Sequence, residues 1–143
     1  MATTTATINI SSDIISGAPI NISKTMTMNK LQSSIGLEET SGLRSKKFTD
    51  TAAVSIIEQD EYTNTKASKV YIRNTGSSSS DYFYVAKHAS AAAGDTAAVT
   101  IGRLYGGNWM LIPYLADVNI TVAPSTADTM TLEYMVFAEG MLK

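Results

Sequence analysis

The sequence predicts an all-β protein: a single-domain antiparallel β-sandwich, jelly-roll-like, with an N-terminal arm. Three observations predict it. Apolar and polar residues alternate with period two in short runs along most of the chain, and side chains on a strand point alternately to opposite faces. The runs number roughly eight to ten and recur at the ~8–12-residue spacing of a sandwich or barrel, with Gly, Pro, Asn and Ser between them. No run of helical period reaches the length of an ordinary helix. At 143 residues the chain is one domain, long enough to bury a core without metals or disulfides.

Residues 1–11 form an arm or a first strand, and 12–143 the sandwich domain. Thr3 to Thr7 lead into Ile8 and Ile10, which either open the sheet or pair with a neighbouring molecule. After the Ser16-Gly17-Ala18-Pro19 break, Ile20, Ile22, Lys24, Met26 and Met28 alternate with Asn21, Ser23, Thr25 and Thr27, a strand. From Asn29 to Gly42 the period is lost, and a loop over the sheet surface is expected. Leu43 to Phe48 is the most basic segment. Thr51 to Ile57 resumes strand character and closes on an acidic turn, Glu58-Gln59-Asp60-Glu61. Lys69 to Lys87 reads as a hairpin with a loose Ser-rich tip. Val70 and Ile72 mark one apolar face, Phe83 and Val85 the other, and Asn74-Thr75-Gly76 with Ser77 to Ser80 make the turn.

Ala89 to Ala93 is small-residue filler with at most one helical turn. Ala97, Val99 and Ile101 begin another strand. Tyr105-Gly106-Gly107-Asn108 is a tight turn into Trp109 to Ile112, where Pro113 ends the strand or marks a sheet edge. Val118, Ile120 and Val122 alternate with Asn119 and Thr121, and Pro124 to Asp128 turns the chain. The last strand carries Leu132, Tyr134, Val136 and Ala138 on one face. Its other face, Thr131, Glu133, Met135 and Phe137, is also largely apolar, so this strand is expected to be central or covered on both sides.

Composition narrows function. There is no Cys, which excludes disulfides, thiolate metal sites and thiol catalysis. A net charge of −2 with scattered basic residues offers no electrostatic footprint for nucleic acid. No apolar run approaches the ~20 residues needed to span a bilayer, and no secretory signal is visible, so a soluble protein made in the cytoplasm is expected. Charged residues are 17%, with Thr, Ser, Ala and Asn in their place, a mix that suits strands with one solvated face. N-x-S/T patterns at Asn9, Asn21 and Asn119 lie inside strand alternations and read as chance.

Nothing in the chain has the grammar of a catalytic, cofactor or metal site, and no cofactor is expected. His88, the single histidine, has no nucleophile or second imidazole beside it and reads as a surface or loop residue. Glu58, Asp60 and Glu61 could offer oxygens to a hard cation, but they lack the spacing of a calcium loop and read as a solvated turn. Trp109 is a core plug, or with Tyr114 a platform for a sugar ring. Tyr71, Arg73, Tyr82 and Tyr84 share the outer face of the expected hairpin and are of the types enriched at interface hot spots; a covering second sheet is the competing reading. Arg44, Lys46 and Lys47 are a lysine-protected sheet edge or a contact for an acidic surface. In the arm, Thr5, Thr7, Ile8 and Ile10 could add a strand to a partner's sheet.

The run Lys69-Val70-Tyr71-Ile72-Arg73-Asn74-Thr75, a Ser-rich gap, and Tyr82-Phe83-Tyr84-Val85 resembles small virion structural proteins of tailed bacteriophages, marine and cyanobacterial ones above all. Tyr105-Gly106-Gly107-Asn108-Trp109-Met110-Leu111-Ile112-Pro113, Asp117-Val118-Asn119-Ile120 and the closing Leu132-Glu133-Tyr134-Met135-Val136-Phe137 carry the same likeness, which covers about half of the chain. The resemblance implies a non-enzymatic capsid decoration (cement) protein on the head surface. Its expected partners are the major capsid protein and further copies of itself, as a dimer or trimer, with neither nucleic acid nor membrane. A tail, fibre or head-fibre base component and a carbohydrate-binding sandwich are the alternatives.

Overall fold

Strands form where the alternation places them, because each then buries one face and wets the other. In a computed structural model of the chain, residues 3–13, 20–29, 35–59, 61–62, 68–88 and 99–141 are described; they hold eleven strands and no helix. The strands are β1 (Thr3–Ser12), β2 (Ile20–Asn29), β3 (Ile35–Thr40), β4 (Arg44–Phe48), β5 (Val54–Ile57), β6 (Ser68–Asn74), β7 (Tyr82–His88), β8 (Val99–Tyr105), β9 (Trp109–Tyr114), β10 (Asn119–Pro124) and β11 (Met130–Met141).

From β4 onward the chain folds back on itself as one antiparallel ribbon: β4 pairs with β11, β5 with β10, β6 with β9 and β7 with β8. Two further pairings, β11 with β6 and β10 with β7, wrap that ribbon into two sheets. One has the order β5-β10-β7-β8; in the other β11 and β6 are central, β9 is one edge, and β3 and β4 share the opposite edge along β11. This is the winding of a jelly roll, as the sequence predicts.

The core lies between the sheets. Val70, Ile72, Phe83, Val85, Leu132 and Val136 lose all contact with solvent. Each such side chain contributes roughly 1.5–3 kcal/mol of hydrophobic free energy relative to exposure, so the facing inner surfaces are what hold the sandwich together. Phe48 meets Phe83 edge-on across the two sheets at 5.2 Å between ring centres. On β11 the expected inner set, Leu132, Tyr134, Val136 and Ala138, is buried, and its other face is half-buried.

The hairpin expected over Lys69 to Lys87 does not form. β6 and β7 belong to different sheets, and the Ser-rich segment is the crossover between them. Both arms carry a wholly apolar face, and stacking those faces across the core buries them better than laying them side by side. The tip is not loose either. Asn74 is 1% exposed; its Nδ2 donates to Leu104 O at 2.9 Å, and its Oδ1 accepts from Gly76 N at 3.0 Å. Its backbone N–H donates to Asn108 O and its carbonyl accepts from Gly107 N. Gly107 has φ +79° and Asn108 N donates to Tyr105 O, so the expected tight turn is present, with glycine where a positive φ is required. That turn also joins the two sheets, because β8 and β9 lie in different ones. A Cβ on Gly106 would stand 2.5 Å from Ser78 O, so turn and crossover are packed backbone to backbone.

Two other expectations change, and of the two readings of Pro113 the sheet edge is the one found. Residues 35–40, expected in a loop, form β3, whose partner is the far end of β11. β8 extends to Tyr105, and Trp109 to Tyr114 is one strand with Pro113 inside it. Proline is tolerated there because β9 is an edge. The Ala89 to Ala93 stretch and Ala97 lie outside the described residues.

β1 pairs within its own chain but joins neither sheet of the sandwich. It runs antiparallel to β2 over ten residue pairs, from Thr3 opposite Asn29 to Ser12 opposite Ile20, and these two strands make a sheet of their own. A lone two-stranded sheet is marginal in water. This one is anchored at its root by Met28, which is 3% exposed.

The staple at Asn74 yields a prediction. Asn74→Leu leaves Leu104 O without its partner in a buried site and Gly76 N without its partner in a part-buried one, at about 2 kcal/mol in total. Urea denaturation of the two proteins measures the loss; a change under ~1 kcal/mol would show that the crossover holds without the side chain.

Candidate functional site

The outer faces of the sandwich carry the unusual chemistry. On the β5-β10-β7-β8 sheet, Tyr82 and Tyr84 lie two residues apart on β7, so they share a face, and their rings meet edge-on at 4.9 Å. Pairing with β8 sets Tyr105 opposite Tyr82 and Arg103 opposite Tyr84. The Arg103 guanidinium lies 4.8 Å from the Tyr82 ring centre and 5.1 Å from that of Tyr84, and its Nη2 donates to the Tyr84 hydroxyl at 3.3 Å. The Tyr82 and Tyr84 hydroxyl oxygens are 3.0 Å apart.

This hydrogen bond holds the Tyr84 phenol below the ordinary tyrosine value, helped by the Arg103 charge, and raises that of Tyr82. Arg103 is raised in turn by its hydrogen bond with Tyr105 and by the charges of the phenolates around it. The result is a half-exposed aromatic patch clamped by one cation.

Tyr71 and Arg73 are not part of this patch. They lie on the outer face of the other sheet, on the opposite side of the molecule, because β6 and β7 are not neighbours. Arg73 pairs with Glu133 at 3.9 Å, an exposed contact worth little. Trp109 stands opposite Arg73 across β6 and β9, with its ring 6.4 Å from Tyr71. Trp109 is 48% exposed and plugs nothing. Tyr114, five residues along the strand, has the opposite parity; it is buried in the core and donates its hydroxyl to Val118 O.

The β1–β2 ribbon stands over this second face. Even-numbered residues of both strands share one side: Ala6, Ile8 and Ile10 from β1, and Ile20, Ile22, Met26 and Met28 from β2, with Thr4 near the root and Lys24, opposite Ile8, as the one cation that interrupts it. The other side is uncharged and polar, with Thr5, Thr7 and Asn9 opposite Thr27, Thr25 and Ser23; Thr7 and Thr25 hydroxyls are 3.0 Å apart. Near the root the apolar side faces the sheet across two clefts that flank Trp109. One, about 600 Å³, is walled by Ala6 and Met28 with Tyr71, Arg73 and Phe137; the other, about 490 Å³, by Ile8 and Met26 with Met110 and Leu111. Beyond the root, Ile10, Ile20 and Ile22 remain 42–45% exposed.

The remaining candidates resolve into structural roles. Arg44, Lys46 and Lys47 lie on β4, an edge strand. Arg44 bridges Glu61 at 2.9 Å, and Lys46 covers the Phe48 ring, so the basic segment protects an edge. That same bond raises Arg44 and engages one carboxylate of the acidic turn. His88 is buried, at 5% exposure, and not a surface residue; pairing with β10 sets it opposite Asn119. Asn119 accepts from Gln59 N and fixes the turn after β5, while its Nδ2 is buried without a hydrogen-bond partner. Among the described residues no cluster of His, Asp and Glu could hold a metal ion.

Sequence reading overlooked Arg103 and Tyr105, whose two-residue spacing signals a shared face, because the β7–β8 pairing was not visible. It also overlooked Ile20, Ile22 and Met26, whose alternation was plain but whose partner strand was not.

Comparisons with known proteins add no family. No family model matches the chain, and no curated protein matches it. Among solved structures it is similar to Drosophila melanogaster CENP-C bound to CAL1 (TM-score 0.43, 12% identity, 91% of this chain and 79% of that one). It is also similar to the Yersinia pseudotuberculosis-derived mitogen (TM-score 0.45, 9% identity, 69% and 85%). A third is the Aeromonas hydrophila periplasmic inhibitor of g-type lysozyme (TM-score 0.37, 15% identity, 74% and 87%). Likeness of this degree carries no information about activity or partner.

The Tyr–Arg patch makes an alkaline prediction. Both phenols are protonated at neutral pH in the folded and unfolded chain, so their ionisation adds nothing to stability there. As pH climbs from the lowered Tyr84 value to the ordinary tyrosine value, Tyr84 adds stability; from the ordinary value to the raised Tyr82 value, Tyr82 withdraws it. Phenolate absorbance will show one tyrosine ionising below the ordinary value. Tyr82→Phe and Arg103→Leu will each return it upward; a value unmoved by Tyr82→Phe would contradict the assignment.

Proposed function

We propose that the chain is a non-enzymatic structural protein of a virion, a decoration (cement) protein that bridges neighbouring major capsid subunits and stabilises the expanded head. One observation carries the reading: a ribbon of twenty residues leaves the sandwich with an apolar side that its own chain covers only at the root. A stable fold has no use for such a ribbon, whereas an assembly protein does. The ribbon offers isoleucines for burial and one free backbone edge on each strand for pairing with another sheet. The phage resemblance of the β6–β7 and β9–β11 sequences supports the same reading. Repetition over a symmetric lattice multiplies a modest contact into firm attachment. The Tyr82–Tyr84–Arg103–Tyr105 patch, on the far side of the sandwich, gives such a bridge a second hold.

A second reading rests on Trp109. Half-exposed beside Tyr71 and between two clefts, it has the form of a platform on which a sugar ring stacks. Titration of Trp109 fluorescence with soluble glycans tests this directly, and no response sets it aside.

The virion reading is tested by counting copies in purified particles against the major capsid protein, using quantitative mass spectrometry. A simple fraction is expected; a handful of copies would point to a tail or fibre position, and none would overturn the reading. A chain lacking residues 2–29 removes both strands of the ribbon together, and it should unfold cooperatively yet fail to bind heads. Unchanged binding would exclude the ribbon as the attachment.

A further inference from the structure

We infer that the free half of the ribbon seats on a second copy of this chain, with Ile10 and Ile22 entering the clefts beside that copy's Trp109. Ten residue pairs at ~3.3 Å per residue make the ribbon about 33 Å long. Only its root half borders the sandwich. Its outermost described residues, Ser11, Ser12 and Asp13 with Ile20 and Asn21, line a surface to which no described residue of the sandwich contributes. The tip therefore points away from the clefts at its own root and cannot fill them.

The occupant follows from the complementarity of the two surfaces. Ile10 and Ile22 face each other across the ribbon and lie on one side with Ile8 and Ile20. The clefts at Trp109, about 600 and 490 Å³, already receive this same side of the ribbon at Ala6, Met26 and Met28, so their chemistry matches its continuation. Lys24, opposite Ile8, and Asp13, after Ser12, bound an uncharged tip stretch of Ile10 to Ser12 with Ile20 to Ser23, so the two side chains that enter the clefts, Ile10 and Ile22, carry no charge into them. Donor and acceptor thus coexist on one molecule and meet only between molecules.

Area favours reciprocity. One tip offers roughly 300 Å² of side chain, no more than the largest apolar patch of an ordinary monomer. That is short of the ~800 Å² per partner of a stable interface. When each copy both gives a tip and receives one, its buried area roughly doubles, and the assembly closes as a two-fold pair or a three-fold ring. The inference goes beyond the virion reading and does not need it.

Sedimentation equilibrium of the full chain tests it. The wild-type chain is expected at two or three times its 15.3 kDa mass. The double variant Ile10→Asp/Ile22→Asp, altered only at exposed positions, is expected at the monomer mass with unchanged far-ultraviolet circular dichroism. A monomeric wild type at high concentration, or an oligomer that survives the double variant, overturns the proposal. Because the chain has no Cys, an introduced pair reports the seat without background. Ile10→Cys with Leu111→Cys should form a disulfide between chains that neither single variant forms. Cross-linking by Ile10→Cys alone would place tip against tip and overturn the Trp109 seat. Particle incorporation measured on Leu111→Asp, which blocks the seat and leaves the ribbon's isoleucines intact, separates the two readings: a monomer that still binds heads leaves the virion reading standing.

Discussion

Asn74 is the constraint on which the two-sheet architecture turns. A side chain with one donor and one acceptor face ties the end of β6 to β8 in the other sheet and to the crossover that leaves β6. Its backbone groups hold the turn between β8 and β9. Four hydrogen bonds at one buried residue thus fix where the chain changes sheets, twice, at the same end of the sandwich. Apolar faces alone would permit β6 and β7 to lie side by side or face to face; the polar staple selects the second.

The sandwich was legible because its signals are local. Alternation in Leu132-Glu133-Tyr134-Met135-Val136, the glycines before Trp109 and the proline inside an edge strand each report on a few neighbouring residues. Strand partners are not local. Two strands with perfect alternation, such as Val70-Ile72 and Phe83-Val85, carry the same pattern whether they pair or stack. That is why a crossover reads as a hairpin. The error propagates to the site, since Tyr71 and Arg73 then join Tyr82 and Tyr84 on a face they do not share. Tyr82 and Tyr84 were found because they lie on one strand. Arg103 completes their patch only through a pairing that spans residues 89–98.

Stability and recognition occupy different parts of this molecule. Inner faces supply the hydrophobic free energy, and the isoleucines of the ribbon, exposed beyond them, add little to the sandwich. Charged residues are few in the sequence, so the outer faces offer mostly aromatic and aliphatic surface, with Arg73 beside Glu133 on one and Arg103 among tyrosines on the other. A surface of that kind discriminates by shape more than by charge, and it gains little from long-range steering.

The pairing of β4 with β11 has a temporal side. Phe48 and Met130, opposite each other in the sheet, are separated by more than half of the chain. Long-range antiparallel pairing is slow to form, and during synthesis the core cannot close until the last strand has emerged. The β1–β2 ribbon needs no such wait. Its partners are close in sequence, and hairpins form in about 1–10 μs. The isoleucine side is therefore complete early in the life of each molecule, while the surface that anchors its root arrives last. Neighbouring nascent chains on one message would present these sticky sides to each other before either sandwich is sealed.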